Sequence, residues 1–173
     1  MENSVLKPDD KEEVDEFIIP KCTSLKLLQW KGEPIKGPLN NKTLVEYHGK
    51  PFYAELVVLQ MYRSKGWDGR WIQSFGKRQY LMDMAPNSQN VPLPEAKEAI
   101  IKKISAGIGK DWCGCWDLFL WNDKNETRFI ELKKRKDDAL KPNQIKWFRS
   151  ALESGISLSD FLIVEWDFSY QKL

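Results

Sequence analysis

The order of apolar patterns along the chain predicts an α/β fold, a mixed β-sheet in a single layer with helices packed on it. Three observations carry this expectation. Apolar residues recur at helical spacing in three separated stretches, and short apolar runs bounded by turn residues lie between them. In addition, 42% hydrophobic residues in a chain of 173, with 8 Trp and 8 Phe, supply core for one domain and no room for two.

Residues 1–20 read as an acidic, flexible arm. Residues 21–50 read as irregular, because Gly32, Pro34, Gly37 and Pro38 interrupt any periodicity. The core is expected over residues 51–173. Pro51 is a good first helical residue, Ala54, Val58, Leu59 and Tyr62 recur at helical spacing, and Gly66 is placed to cap a helix that carries Glu55. Residues 71–75 follow as a strand, and a second helix is expected over residues 94–106 before Gly107 and Gly109 interrupt it. Two apolar segments, residues 116–121 and 126–133, flank the polar break Asn122-Asp123-Lys124-Asn125 and read as a β-hairpin. Pro142 opens a third helix whose Ile145, Phe148, Ala151 and Leu152 lie near one face and which Gly155 ends, and residues 161–166 form the last strand.

Charge and composition narrow the function classes. The formal net charge is only +2, but residues 1–20 hold seven acids and two bases, so the rest of the chain is basic. That asymmetry suits a domain that binds a polyanion and carries an acidic arm able to fold over its positive face. No uncharged apolar run approaches the roughly 18 residues of a membrane span, and the acidic start is unlike a secretory signal. Three cysteines without a disulfide framework favour a reducing, intracellular compartment. His48 is the single histidine, which excludes sites needing two and a histidine-based triad. Cys22, Cys113 and Cys115 lack the usual zinc spacing and are expected as ordinary thiols.

Strand periodicity then decides which side chains meet. In Glu131-Leu132-Lys133 the acid and the amine share one face of a strand while Leu132 faces the other. If the hairpin closes with Asn122 opposite Glu126, Asp117 falls directly opposite Glu131, whereas a one-residue slip sends it to the wrong face. Two carboxylates side by side call for a cation or a shared proton, and oxygen ligands of this kind suit Mg²⁺, with Mn²⁺ expected to substitute. An ion held there polarises a phosphate oxygen and lowers the pKa of a bound water. Lys133 then serves electrostatically or as a base, and the sequence leaves both roles open. A second Glu-x-Lys, Glu95-Ala96-Lys97, starts a helix and has no aspartate on a neighbouring strand.

These residues resemble the PD-(D/E)XK nucleases and, within them, the VRR-NUC domains, over roughly residues 113–167. Residues 114–121, Gly-Cys-Trp-Asp-Leu-Phe-Leu-Trp, look like the family's Gly-x-Pro-Asp strand, with Trp116 in place of the proline. Phe129-Ile130-Glu131-Leu132-Lys133 looks like its Glu-x-Lys strand, Leu140-Lys141-Pro142-Asn143-Gln144 like the entry to the following helix, and Glu55 like the glutamate of the first core helix. The resemblance implies a restriction-endonuclease-like core, a mixed central sheet with flanking helices. It implies that Asp117 and Glu131 ligate the metal, that Lys133 acts on the nucleophile or the phosphate, that Gln144 orients the site, and that Glu55 supports the metal or Lys133.

The expected activity is therefore a Mg²⁺-dependent DNA endonuclease, and a preference for branched or flapped DNA follows from the family likeness alone. The rival readings are a non-catalytic nucleic-acid-binding module with a nuclease-like fold and an interaction subunit whose working part is the acidic arm. Lys134, Arg135 and Lys136, followed by Lys141, Lys146 and Arg149, read as a track for phosphates beside the site. Arg63 and Arg70 extend it from the other side. Most tryptophans are expected in the core, with Trp67 and Trp112 left to stack on unpaired bases. A chain of 20.3 kDa is expected to cut both strands as a homodimer.

Overall fold

The computed structural model describes residues 5–35, 42–73, 79–84, 90–109, 113–136 and 139–170. Its strands are β1 (Asp10–Val14), β2 (Phe17–Gln29), β3 (Val45–Tyr47), β4 (Lys50–Phe52), β5 (Trp67–Gln73), β6 (Gln79–Leu81), β7 (Leu118–Asn122), β8 (Thr127–Lys134) and β9 (Phe161–Phe168). Its helices are α1 (Ala54–Arg63), α2 (Glu95–Ala106) and α3 (Pro142–Glu153). The strands share one sheet in the order β4-β3-β2-β9-β8-β7-β5-β6, with β1 beside the first part of β2. β9 runs parallel to both β2 and β8, and the other pairs are antiparallel, so the sheet is mixed, as the sequence predicts. The parallel step from β8 to β9 needs a crossover, and α3 supplies it.

The amino-terminal third differs from expectation. Residues 10–14 and 17–29 are paired strands joined by a two-residue turn, rather than a flexible arm running into an irregular segment. Acidic composition hid the pattern: Val14 and Ile19 are buried, and Lys21 pairs with Glu12 at 3.0 Å, so most of the acids sit on an exposed edge of an anchored hairpin. The irregularity at residues 23–24 has a cause as well. Ile19 packs with the α3 side of the sheet and Cys22 with the α1 side, as alternation requires, but a register shift between Cys22 and Leu25 puts Leu25 and Leu27 on the α1 side as well. A bulge of this kind breaks the two-residue period by which a strand is read. β3 and β4 are joined by the two residues His48 and Gly49, both at positive φ (51° and 73°), a hairpin turn without the usual Asn-Gly.

The two faces of the sheet bury different halves of the core. Leu118, Leu120, Ile130, Leu132, Leu162 and Val164 meet α1 on one side, whereas Phe119, Phe129, Phe161 and Ile163 meet α2 and α3 on the other. The hairpin register is the expected one, with Leu118 opposite Ile130 and Trp121 opposite Thr127. Asn122 fixes it. Its Oδ1 accepts from the backbone N–H of Lys124 and of Glu126, and Asn125 takes the left-handed conformation (φ 59°) that closes a three-residue loop.

α3 is locked to the chain just before β7. Gly114 has φ +95°, and a Cβ there would lie 2.1 Å from the Asn143 carbonyl oxygen, so the backbone can approach the start of α3 only through glycine. Trp116, fully buried where the family's proline stands, stacks on Phe148 and donates from Nε1 to the Gln144 carbonyl at 3.3 Å. Gly114→Ala is therefore expected to cost about 2 kcal/mol or more of stability, from the left-handed backbone and the forced retreat of α3. Urea unfolding measures it, and a loss under about 0.5 kcal/mol would contradict the packing described.

Candidate active site

The side chains singled out in the sequence meet at one end of the sheet, where β7 begins, β8 ends, and the amino termini of α1 and α3 approach. Asp117 stands immediately before β7, its carbonyl accepting from Ile72 N at 2.8 Å, and the register of the hairpin sets it against Glu131. The two are tied reciprocally. Asp117 N donates to Glu131 Oε2 at 3.2 Å, and Leu132 N donates to Asp117 Oδ2 at 2.9 Å.

Glu131 is 2% exposed and Lys133 5%, side by side on the α3 face of β8. Lys133 Nζ lies 3.0 Å from Glu131 Oε1 and donates to Gln144 Oε1, also at 3.0 Å. Gln144 occupies the first turn of α3 and bridges the group. Its Nε2 donates to Glu131 Oε1 at 2.5 Å, while its Oε1 also accepts from Lys141 N at 2.9 Å, which caps the helix and fixes the amide's orientation in one contact. From the other side of the sheet Glu55, in the first turn of α1 and 5% exposed, reaches the same cleft.

The cation on Glu55 is Lys42, its Nζ 2.6 Å from Glu55 Oε1 and 5.4 Å from the centre of the Trp71 ring. Sequence reasoning missed this residue. It precedes β3 in a stretch without periodicity, and no spacing relates it to Glu55. The whole group lines a cleft of about 370 Å³, together with Thr43, Gly114, Lys134, Lys141 and Asn143.

Crowding of acids sets the electrostatics. Burial pushes the Asp117 carboxyl well above the usual aspartate range, and the charges of Glu131 and Glu55 push it further, against the opposing pull of Lys42 and the Leu132 amide. Burial also raises Glu131, outweighing Lys133, the Asp117 amide and Gln144. Burial works against the charge on Lys42, but Glu55, Asp117 and Glu131 together hold its ammonium above the ordinary lysine range.

The donor set fits a hard divalent cation. The carboxylates of the cleft offer oxygen ligands, which suit Mg²⁺ with retained waters, and one thiol, Cys115, also lines it. Glu55 Oε2 is buried without a hydrogen-bond partner. Among the described residues no group of three or more acid, histidine or cysteine side chains is assembled so that it could hold a metal ion. A carboxylate offers about four lone-pair sites, and the contacts above leave at least one free on Glu131 and more on Asp117.

The expected phosphate track is shorter in the structure. Lys134 and Lys141 line the cleft, and Lys136 and Lys146 are exposed but do not line it. Arg135 lies 3.4 Å from Glu165. Arg149 is taken up by Asp15 and Glu16, whose carboxylates accept four hydrogen bonds from its guanidinium, and by the Phe17 ring below it. The acidic segment thus does fold onto a basic residue, and Arg149 is withdrawn from the track. Arg70 is withdrawn too, being 6% exposed with its donors on Asp68 and on the carbonyls of Gly69, Val91 and Pro92. Arg63 ends α1, roughly 12 Å along the helix from Glu55, and so lies away from the cleft. Trp67 packs edge-on against Tyr62 beneath Arg128 and is no stacking platform, and Trp112 lies outside the described residues.

A family model described as VRR-NUC domain matches residues 63–159, more than half of the chain. The chain belongs to the VRR-NUC family, a PD-(D/E)XK-like nuclease domain. The matched span of this VRR-NUC chain holds Asp117, Glu131, Lys133 and Gln144, but begins after Lys42 and Glu55. No curated protein and no solved structure matches the chain. No helix among the described residues is long and apolar enough to cross a membrane.

The raised Asp117 carboxyl makes a stability prediction. Above about pH 4 an aspartate in the unfolded chain ionises, whereas the raised Asp117 carboxyl of the folded protein ionises only at higher pH, so folding binds protons and stability falls as pH rises through that window. Asp117→Asn removes this dependence. In EDTA its melting temperature is expected to exceed the wild type's at pH 8, with the gap closing toward pH 4. A gap that widens on acidification would contradict the assignment.

Proposed function

We propose that this VRR-NUC domain is a divalent-metal-dependent DNA endonuclease. The observation that supports the reading most is the convergence of Asp117, Glu131 and Lys133 in one cleft, with Gln144 holding both members of the Glu131–Lys133 pair. Asp117 and Glu131 would hold the ion, with Glu55 and its unpartnered oxygen as the third carboxylate. An ion of the Mg²⁺ class supplies Lewis acidity toward a phosphate oxygen and a water of lowered pKa.

The remaining steps belong to the chain's own side chains. Lys133 is held in place by two acceptors, so its ammonium is oriented in advance to meet negative charge that develops on the phosphate, and it need not reorganise as the reaction proceeds. Lys134 and Lys141 at the cleft wall, with Lys136 and Lys146 outside it, would hold the flanking phosphates by counterion release. A preference for branched or flapped DNA is part of the proposal by family likeness, and so is a homodimer that cuts both strands.

The test is a panel of single-stranded, duplex, flap and four-way-junction DNA, assayed with Mg²⁺, Mn²⁺ and EDTA, with sedimentation of the same samples. Cleavage is expected with either metal and not in EDTA. Glu131→Gln, which keeps the shape of the buried pair, is expected to lose on the order of 10²–10³-fold in rate while binding DNA within a few-fold of wild type. DNA binding without cleavage of any substrate in either metal would favour the non-catalytic module instead.

A further inference from the structure

The site contains an ammonium group that the nuclease reading above does not use. Lys42 Nζ sits 2.6 Å from Glu55 Oε1 in the cleft, and the charges of Glu55, Asp117 and Glu131 all bear on it. The two lysines of the site are held differently. Lys133 is buried between Glu131 and Gln144, whereas the Lys42 side chain is 37% exposed at the mouth of the cleft and reaches in over the Trp71 ring.

Three carboxylates set close together repel one another. Without Lys42 the buried Glu55 carboxylate would lose the ion pair that holds it.

We propose that Lys42 is a built-in counterion that occupies the cation position on Glu55 while no divalent ion is bound and is displaced from Glu55 when one binds. The proposal rests on the metal-site reading above and deepens it. Lys42 is then a positioning residue. It keeps the Glu55 carboxylate drawn into the cleft without a metal, and it sets the divalent concentration at which the site fills, because the ion must compete with an ammonium tethered to the same chain. Its side chain is 37% exposed against 6% for Lys133, which gives the Lys42 ammonium a path back to solvent.

The experiment is calorimetric titration of Ca²⁺ and of Mg²⁺, without DNA, into the full chain as wild type, Lys42→Met, Lys42→Arg and the double variant Lys42→Met/Glu55→Gln. Lys42→Met removes the competitor and is expected to bind either ion roughly tenfold more tightly than wild type, while Lys42→Arg, which keeps the charge, stays near wild type. The gain is expected to vanish in the double variant. Thermal melting provides a second reading should Lys42→Met prove hard to handle at titration concentrations. Its melting temperature in EDTA is expected below wild type, because Glu55 is left buried without a cation, and saturating Ca²⁺ is expected to raise it by more than it raises wild type. Equal or weaker ion binding by Lys42→Met overturns this proposal alone. Absence of ion binding in wild type and in every variant overturns the metal site and this proposal with it.

Discussion

The site depends on keeping one carboxylate ionisable inside a sheet. Glu131 is nearly inaccessible to solvent, and such a group is tolerated only when hydrogen bonds and a counter-charge replace the lost water. Three donors do this, each from a different part of the fold: Asp117 N from the segment before β7, Lys133 Nζ from β8 itself, and Gln144 Nε2 from the first turn of α3. The same contacts join the hairpin to the crossover helix. The acid proposed to hold the metal is thus also a joint of the architecture, and a shift of α3 by a fraction of an ångström would reach Lys133 and Glu131 together through one glutamine.

The packing around this joint explains why it holds. Gly114 lets the chain before Asp117 lie against the Asn143 carbonyl, and Trp116 fills the space beside it, stacked on Phe148 and bonded to the Gln144 backbone. The family's proline would restrict the backbone there, whereas Trp116 achieves the constraint by volume and one hydrogen bond. On the far side, α1 presents Glu55 from its first turn, where the helix dipole favours negative charge. Two helix amino termini and a strand end therefore converge on a pocket of acids, with lysines admitted as their counter-charges.

Much of this was legible in the sequence because strand geometry is arithmetic. The polar turn at Asn122 permitted a pairing that places Asp117 against Glu131, the structure has that register, and the two-residue period set Lys133 on the same face as Glu131. Gln144 was legible only through the likeness of residues 140–144 to the family's helix entry. What was not legible depended on long-range contact or on broken periodicity. Lys42 reaches Glu55 from a segment without a pattern. The β1–β2 hairpin was masked by its acids and by the bulge after Cys22, although Val14 and Ile19 carry its burial. Arg149 reads as a free base in sequence, but its carboxylate partner Asp15 lies 134 residues away, and Arg70, beside Asp68 in sequence, is closed off by the Val91 carbonyl 21 residues on. Charge counted along a chain overstates the charge left on a surface.

The account stands on a divalent ion binding between residues 117 and 131. Anomalous scattering from a crystal soaked in Mn²⁺ tests this most directly, since it locates the ion without reference to activity. The account predicts a peak within about 2.5 Å of carboxylate oxygens of both Asp117 and Glu131. A fully soaked crystal with Mn²⁺ bound elsewhere and no peak at those oxygens would contradict it.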